Sequence, residues 1–238
     1  MPAVWRPLTA LRDNGPMSLT RDDLENDSLR AAIERSQGGL PLFSRAAFNA
    51  SLNAMLHSCT RGADVWVFAY GSLIWNPLIH TVEREPVTLH GFHRRYCLWS
   101  RLGRGTPEYP GLMLGLDFGG SCRGVAMRVA AGVAEHELKL LWRREMVLGS
   151  YAPRWVSLHL RKGTVRAIAF VVNHGHPHYA GKLGEDTMVK TITTARGHLG
   201  PCIDYLENTL TGLAAHGIHD RGLVRLHRLI EQSRGKRK

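Results

Sequence analysis

The spacing of apolar positions changes period four times along the chain. Residues 18–60 repeat at helical intervals. "SLTRDDLENDSLRAAIERS" opens with Ser/Thr and acidic residues, the chemistry of a helix N-terminus. "SRAAFNASLNAMLHS" places Phe48, Leu52 and Leu56 on one face. "TRGADV" separates this part from the strand-rich centre. From 65 to 130 the pattern shortens to that of strands. "VWVFAY" is a continuous apolar run and predicts a buried strand; "VTLHGFHRRYCLWS" predicts a longer one, bent at its glycine. "GLMLGLDF" and "CRGVAMRV" flank Gly119-Gly120 and predict a hairpin. Helical spacing returns over 133–149. "RWVSLHL" and "TVRAIAFVVN" then flank Arg161-Lys162-Gly163 and predict a second hairpin. From about Glu185 the chain reads as helices around "ARGHLGPC". Strands fill the centre and helices the ends. This order predicts an α+β fold, a compact, barrel-like and largely antiparallel sheet with flanking helices. No internal repeat is present. The expected organisation is a flexible extension over 1–17, a helical segment over 18–60, one main domain over 64–232 and a basic tail over 233–238.

Composition adjusts this picture in three places. The chain has 238 residues, 44% of them hydrophobic, enough for a sizeable core. No apolar run approaches the length of a membrane span, and the first residues lack the apolar stretch of a secretory signal. Cys59, Cys97, Cys122 and Cys202 are scattered, without C-x-x-C spacing, which argues against a zinc knuckle or a disulfide framework and for a reducing cytoplasm. The net charge is +11. No aromatic-interleaved basic stripe accompanies it, so the charge predicts solubility and attraction of a small anion, not nucleic-acid binding. No membrane partner is expected, and the expected state is a monomer.

The candidate chemistry begins at "WVFAYGSLIWNP", residues 66–77. An apolar strand is interrupted by Gly71 and Ser72, then resumes at Leu73, Ile74 and Trp75. Glycine inside a strand pattern marks a bulge or a close approach to the backbone. A second anomaly lies in "VAEHELKLLWRREMVLGSY". Leu138, Leu141 and Trp142 mark the apolar face of a helix, and Glu145 is next on that stripe. Glu135 and Glu137 fall off the line and read as surface charges. A carboxylate on the core face is either half of an ion pair or an acid/base whose pKa is raised by desolvation. The Gly-Ser break favours the second reading, because free backbone N–H groups near a cleft can hold an anion. Ser72 is not in a G-x-S-x-G elbow. "NHGHPHY" carries His174, His176 and His178, but its Gly and Pro predict a polar loop, not a metal site. "RLGRGTPEYPG" is either a solvated connector or a loop over an anionic ligand, with Arg101 or Arg104 supplying charge.

"VFAYGSLIWNP", "GFHRRYCLWS", "GRGTPEYPGLMLGL", "RGVAMRV", "LWRREMVLGSY" and "HPHYAG" occur in that order. Together they resemble the ChaC family of γ-glutamylcyclotransferases, bacterial ChaC type, from about Val65 to about Ile230. The resemblance implies a compact barrel with flanking helices. It implies cleavage of glutathione to 5-oxoproline and cysteinylglycine, with no cofactor and no metal. By the same resemblance Glu145 is the catalytic acid/base. Val67, Phe68, Ala69, Tyr70, Gly71, Ser72 and Leu73 are expected to bind the substrate, the last four as the γ-glutamyl-binding loop. Arg104, Tyr151 and Tyr205 are expected in a supporting shell. Other γ-glutamyl amino acids or amines remain open as substrates, as does a non-catalytic role in regulating cation transport.

Overall fold

The computed structural model describes residues 19–35, 42–60 and 62–235; the expected extension over 1–17 lies outside them, as do the last three residues of the basic tail. Three helices come first: α1 (Arg21–Glu25), α2 (Ser28–Arg35) and α3 (Arg45–His57). Thr20 caps α1 in a reciprocal box with Asp23, and Ser44 caps α3. The strands come next: β1 (Val65–Ala69), β2 (Glu83–Ser100) and β3 (Gly111–Val129), then helix α4 (Ala134–Glu145). The hairpin of β4 (Tyr151–Leu160) and β5 (Gly163–Val172) succeeds it. Helices α5 (Glu185–Thr194), α6 (Cys202–Ala215) and α7 (Arg221–Gly235) close the chain. Ser233, Arg234 and Gly235, expected in the tail, are the last turn of α7.

The five strands form one sheet in the order β2-β3-β1-β5-β4. Pairing is antiparallel except between β5 and its neighbours β1 and β3. β1 sits in the middle with partners on both sides, which explains its unbroken apolar sequence. β3 pairs with β1 over Val65↔Val129 to Ala69↔Val125 and also touches β5 at Leu116↔Val171, so the sheet curls on itself.

One expectation fails here. Gly119-Gly120 is not a hairpin turn. β3 runs straight through it and pairs with β2 on both sides, from Glu83↔Arg128 to Ser100↔Gly111. The chain reverses in the 101–110 segment instead. Gly119 (φ 93°) and Gly120 (φ 68°) face the register shift around Gly91 (φ 83°), so three left-handed glycines bend two long strands together. A glycine pair signals positive φ equally for a turn and for a coupled bend, and the cross-strand partner decides between them.

The curl separates two apolar clusters. The strands alone supply one, with Phe68, Leu89, Leu116, Ala126, Leu158 and Ala169. The other joins the sheet to the helices, with Val67, Ala69, Leu138, Leu141, Trp142, Phe170, Tyr205 and Leu206. The N-terminal helices share it through Leu24, Leu52 and Met55. The Trp142 indole N–H donates to Ser51 Oγ on α3 at 2.9 Å, fixing α4 between α3 and the sheet. The last turn of α4 is thereby aimed at the end of β1.

Candidate active site

β1 ends at Ala69, and Tyr70 leaves the sheet. Gly71 to Trp75 then fold into a tight turn rather than resuming the strand. The Ile74 N–H donates to the Gly71 carbonyl at 3.0 Å, and the Asn76 N–H to the Ser72 carbonyl at 2.8 Å. A helical turn leaves its first N–H groups without intrasegment acceptors. Among the described residues, nothing accepts from the N–H of Gly71, Ser72 or Leu73. Gly71 does not need positive φ. It needs clearance, because a Cβ there would lie 3.0 Å from Tyr205 Oη. The base of the turn is fastened by Arg94, which donates to the Tyr70 carbonyl at 2.7 Å and to Asp220 Oδ2 at 2.6 Å, beside the start of α7.

Glu145 is the last residue of α4, and its side chain is 12% exposed. Burial raises its pKa, while the neighbouring Arg144 guanidinium opposes the shift; the net direction is upward. The helix C-terminus adds to the disfavour for negative charge. Consecutive helical residues normally diverge. Here the helix stops, and Arg144 Nε lies 2.9 Å from Glu145 Oε1. The same guanidinium donates through Nη2 to Ser72 Oγ at 2.9 Å and through Nη1 to the Asn76 carbonyl. Arg144 thus ties the carboxylate to the turn. It also bars Ser72 from acting as a nucleophile through this neighbour, since a guanidinium cannot take up the hydroxyl proton.

Tyr70, Gly71, Ser72, Leu73, Leu114, Glu145, Tyr151, Phe170 and Tyr205 line one pocket. The Tyr70 hydroxyl donates to the Phe170 carbonyl at 2.9 Å, and the Tyr151 hydroxyl to the Leu114 carbonyl at 3.3 Å. All three tyrosines are pushed to higher pKa, first by burial and also by the nearby Glu145, so they stay protonated at neutral pH. A carboxylate of raised proton affinity therefore shares a small pocket with three unpaired backbone donors. Such a set can move a proton and stabilise an anion in one place.

Residues 65–233 match the family model described as ChaC-like protein. The chain belongs to the ChaC-like family. It is 40% identical to the glutathione-specific gamma-glutamylcyclotransferase of Escherichia coli (strain K12) over 206 residues, 86% of this chain and 89% of that one. It is 31% identical to the glutathione-specific gamma-glutamylcyclotransferase 1 of Homo sapiens over 147 residues, 60% of this chain and 66% of that one. Among solved structures, the γ-glutamyl cyclotransferase specific to glutathione from yeast superposes with a TM-score of 0.65 at 22% identity, covering 71% of this chain and 96% of that one. That likeness bears on the fold, which agrees with the expected α+β barrel.

In this ChaC-like chain the structure gathers most of the expected site and disperses the rest. Tyr70, Gly71, Ser72, Leu73, Glu145, Tyr151 and Tyr205 converge on the pocket. Val67, Phe68 and Ala69 do not; each is fully buried in the sheet, where alternation sends Val67 and Ala69 into one cluster and Phe68 into the other. Arg104 stands behind the pocket. It donates to the Pro201 carbonyl at 3.2 Å and lies 3.9 Å from Asp204, at the start of the helix that carries Tyr205. Arg101 does not line the pocket either. His174 pairs with Asp117 at 2.7 Å and stacks on Tyr179, while His176 and His178 contact each other. Among the described residues, the trio whose ligand atoms fall within metal-binding distance is elsewhere, Glu207, His227 and Glu231 on α6 and α7. The four cysteines are free. Glu137, expected on the surface, is buried and paired with Arg21.

Sequence reasoning missed Arg144, Arg94, Leu114 and Phe170. Arg144 had a signal, since a cation beside an unexpected core carboxylate is its nearest counter-ion. Leu114 and Phe170 had none, because each acts through a backbone carbonyl that every residue type carries.

Proposed function

We propose that the chain is a γ-glutamylcyclotransferase that cleaves glutathione to 5-oxoproline and cysteinylglycine. The observation that carries this reading is Glu145, largely buried at the end of α4 and lining one pocket with the open N–H groups of Gly71, Ser72 and Leu73. Its place in the ChaC-like family supports the substrate, as do the names of the relatives from E. coli and human. The reaction is intramolecular and needs no enzyme nucleophile. Glu145 takes a proton from the substrate's α-ammonium. The freed amine attacks the γ-carbonyl carbon, forming a C–N bond and a five-membered ring. The oxyanion that develops is held by backbone N–H donors of the turn. The C–N bond to the cysteinyl nitrogen then breaks as Glu145 returns its proton to the leaving amine, and the second proton of the attacking nitrogen passes by the same carboxylate to that amine, which departs as an ammonium while the ring nitrogen keeps one hydrogen. No water is consumed. The pocket supplies folding of the glutamyl chain, which removes an entropic barrier.

No helix among the described residues is long and apolar enough to cross a membrane. The four unpaired cysteines suit a reducing compartment, and we place the enzyme in the cytoplasm, acting as a monomer. The test is incubation of purified protein with glutathione and with γ-glutamyl-alanine, reading 5-oxoproline release. Release from glutathione at a much higher kcat/KM is the expected result. No release from glutathione would overturn the reading, and preference for γ-glutamyl-alanine would reassign the substrate.

A further inference from the structure

Three side chains on the terminal helices take no part in the pocket and converge on one point. Leu206 on α6 and Leu226 and Ile230 on α7 enter the helix–sheet cluster. The residue after each of them, Glu207, His227 and Glu231, stands at the outer rim of the seam between the two helices, half-buried for the histidine and exposed for the acids. His227 and Glu231 are four residues apart and share a face of α7. One ligand atom from each of the three, an imidazole nitrogen and two carboxylate oxygens, lies within 4.8 Å of the others. Ion pairing explains this poorly. His227 Nε2 stands 3.4 Å from Glu207 Oε1, about 0.5 Å beyond the usual N–H···O separation. Zinc held tetrahedrally by nitrogen and carboxylate oxygen sets its ligand atoms about 3.4 Å apart, the separation found here. The two carboxylates also crowd each other, and like charges this close are stabilised by a cation between them. Arg234 serves Glu231 from outside, donating to Oε1 at 3.1 Å, but both of these side chains are about half exposed and their pair is readily exchanged.

We propose that Glu207, His227 and Glu231 bind a divalent transition-metal ion, zinc in the first place, that pins α6 to α7. The imidazole selects against magnesium and calcium, which take oxygen ligands. Two carboxylates neutralise the ion's charge, and the neutral imidazole ligates through Nε2 with its proton on Nδ1. Three protein ligands leave a fourth position for water, as befits a site on the rim. The role is structural. α6 carries Tyr205 into the pocket, and α7 starts at Asp220, which holds Arg94 and through it the Tyr70 carbonyl. The ion therefore steadies two helices that support the pocket from outside and touches none of the groups lining it. The proposal is independent of the cyclotransferase reading.

The test uses the untagged full chain, stripped with EDTA and dialysed, with zinc chloride and magnesium chloride as probes. Titration calorimetry should show zinc binding that His227→Ala and Glu207→Gln each weaken by at least about a hundredfold, since even the groups behind a metal ligand are worth roughly 10- to 100-fold. His176→Gln, in the histidine-rich loop, should leave that affinity within about twofold. Zinc should raise the thermal midpoint of wild type and of His176→Gln and leave the other two where they were; magnesium should raise none of them. Native circular dichroism of the stripped variants shows that each is folded, and Glu231→Gln replaces any that is not. Wild type that binds no zinc would overturn the proposal, as would His227→Ala binding it as tightly as wild type. Unchanged binding in Glu207→Gln would leave the ion on α7 alone and remove the clamp. Loss of binding in His176→Gln would move the metal to the loop and equally refute it.

Discussion

Glu137 and Glu145 lie about two turns apart on the same helix, one buried and the other largely so, yet their surroundings make them different chemical objects. Arg21 grips Glu137 with two bonds of 2.8 Å, and the His80 N–H adds a third at 2.9 Å. Burial raises the proton affinity of Glu137, but these partners outweigh it and hold it below the usual carboxylate range. Glu145 is largely buried, with one guanidinium on one of its oxygens and tyrosines around the rest, and its proton affinity is raised. Burial alone therefore does not mark a catalytic acid. A buried carboxylate with all its bonds satisfied is a rivet, whereas one left with an open oxygen can exchange protons.

The largest expected effect separates the two directly. Glu145→Gln keeps the shape and removes the exchangeable proton. It should lower glutathione turnover by about a thousandfold and leave the circular dichroism spectrum native. A rate near wild type would return Glu145 to the class of Glu137. Urea unfolding of the same variant is a second measurement. Glu145 has a raised folded-state pKa, so it weakens the fold above the ordinary carboxylate range. Glu145→Gln should therefore unfold in urea at a concentration equal to or above that of wild type at neutral pH.

Arg144→Met removes the cation that steadies Glu145 and the donor to Ser72. We expect kcat/KM to fall about thirtyfold at neutral pH, in line with the loss of charged hydrogen bonds. The acid limb of the pH–rate profile should move to higher pH, because Arg144 is what holds the Glu145 proton affinity down. The other groups facing Glu145 are the phenols of Tyr70, Tyr151 and Tyr205, which stay neutral in this range. A limb that stays in place would separate Arg144 from the proton transfer.

Glu137→Gln should have the opposite profile to Glu145→Gln. It leaves Arg21 short of its partner, and we expect a loss of about 2 kcal/mol in urea unfolding at neutral pH, since Arg21 is itself partly exposed and can recover water. Glu137 has a depressed folded-state pKa, so its contribution is complete above the ordinary carboxylate range and disappears as pH falls through the depressed value. The stability gap between this variant and wild type should close on acidification. The folded variant should keep its kcat/KM within about twofold. A large loss of activity would mean that the Arg21 pair reaches the site.

The smallest effect concerns the turn. Gly71→Ala places a methyl 3.0 Å from Tyr205 Oη, a contact that a small shift of the phenol can relieve. KM for glutathione should rise about three- to fivefold, roughly 1 kcal/mol of overpacking. Combining it with Tyr205→Phe removes the colliding oxygen and should recover part of that loss relative to Tyr205→Phe alone. Strictly additive effects would show that the clearance at Gly71 serves something other than Tyr205.

Much of this fold was legible because it is local. The helix starts at Thr20 and Ser44 are written in capping residues, β1 in an unbroken apolar run, and the β4–β5 hairpin in its turn. Glu145 was legible for the same reason, since a charge on an apolar stripe is visible within one helix. Helical period alone could not place Glu137. It falls off the stripe of Leu138, Leu141 and Trp142, and it is buried because α1 covers a second face of α4 and brings Arg21 with it. Nor could Gly119-Gly120 declare its role, since positive φ suits a reversal and a bend alike, and only pairing with β2 across Gly91 makes it a bend.

By itself, then, the sequence determined the period of each element, the position of Glu145, the break after Tyr70 and membership of a family whose motifs it carries. Tertiary structure decided which groups meet there. Tyr151 and Tyr205 arrive from β4 and α6, and the carbonyls of Phe170 and Leu114 set the direction in which two phenol protons point. The physical reason is that a hydrogen bond's polarity belongs to a pair of groups. A tyrosine in a sequence is both donor and acceptor, and it becomes one or the other only when the fold supplies its partner.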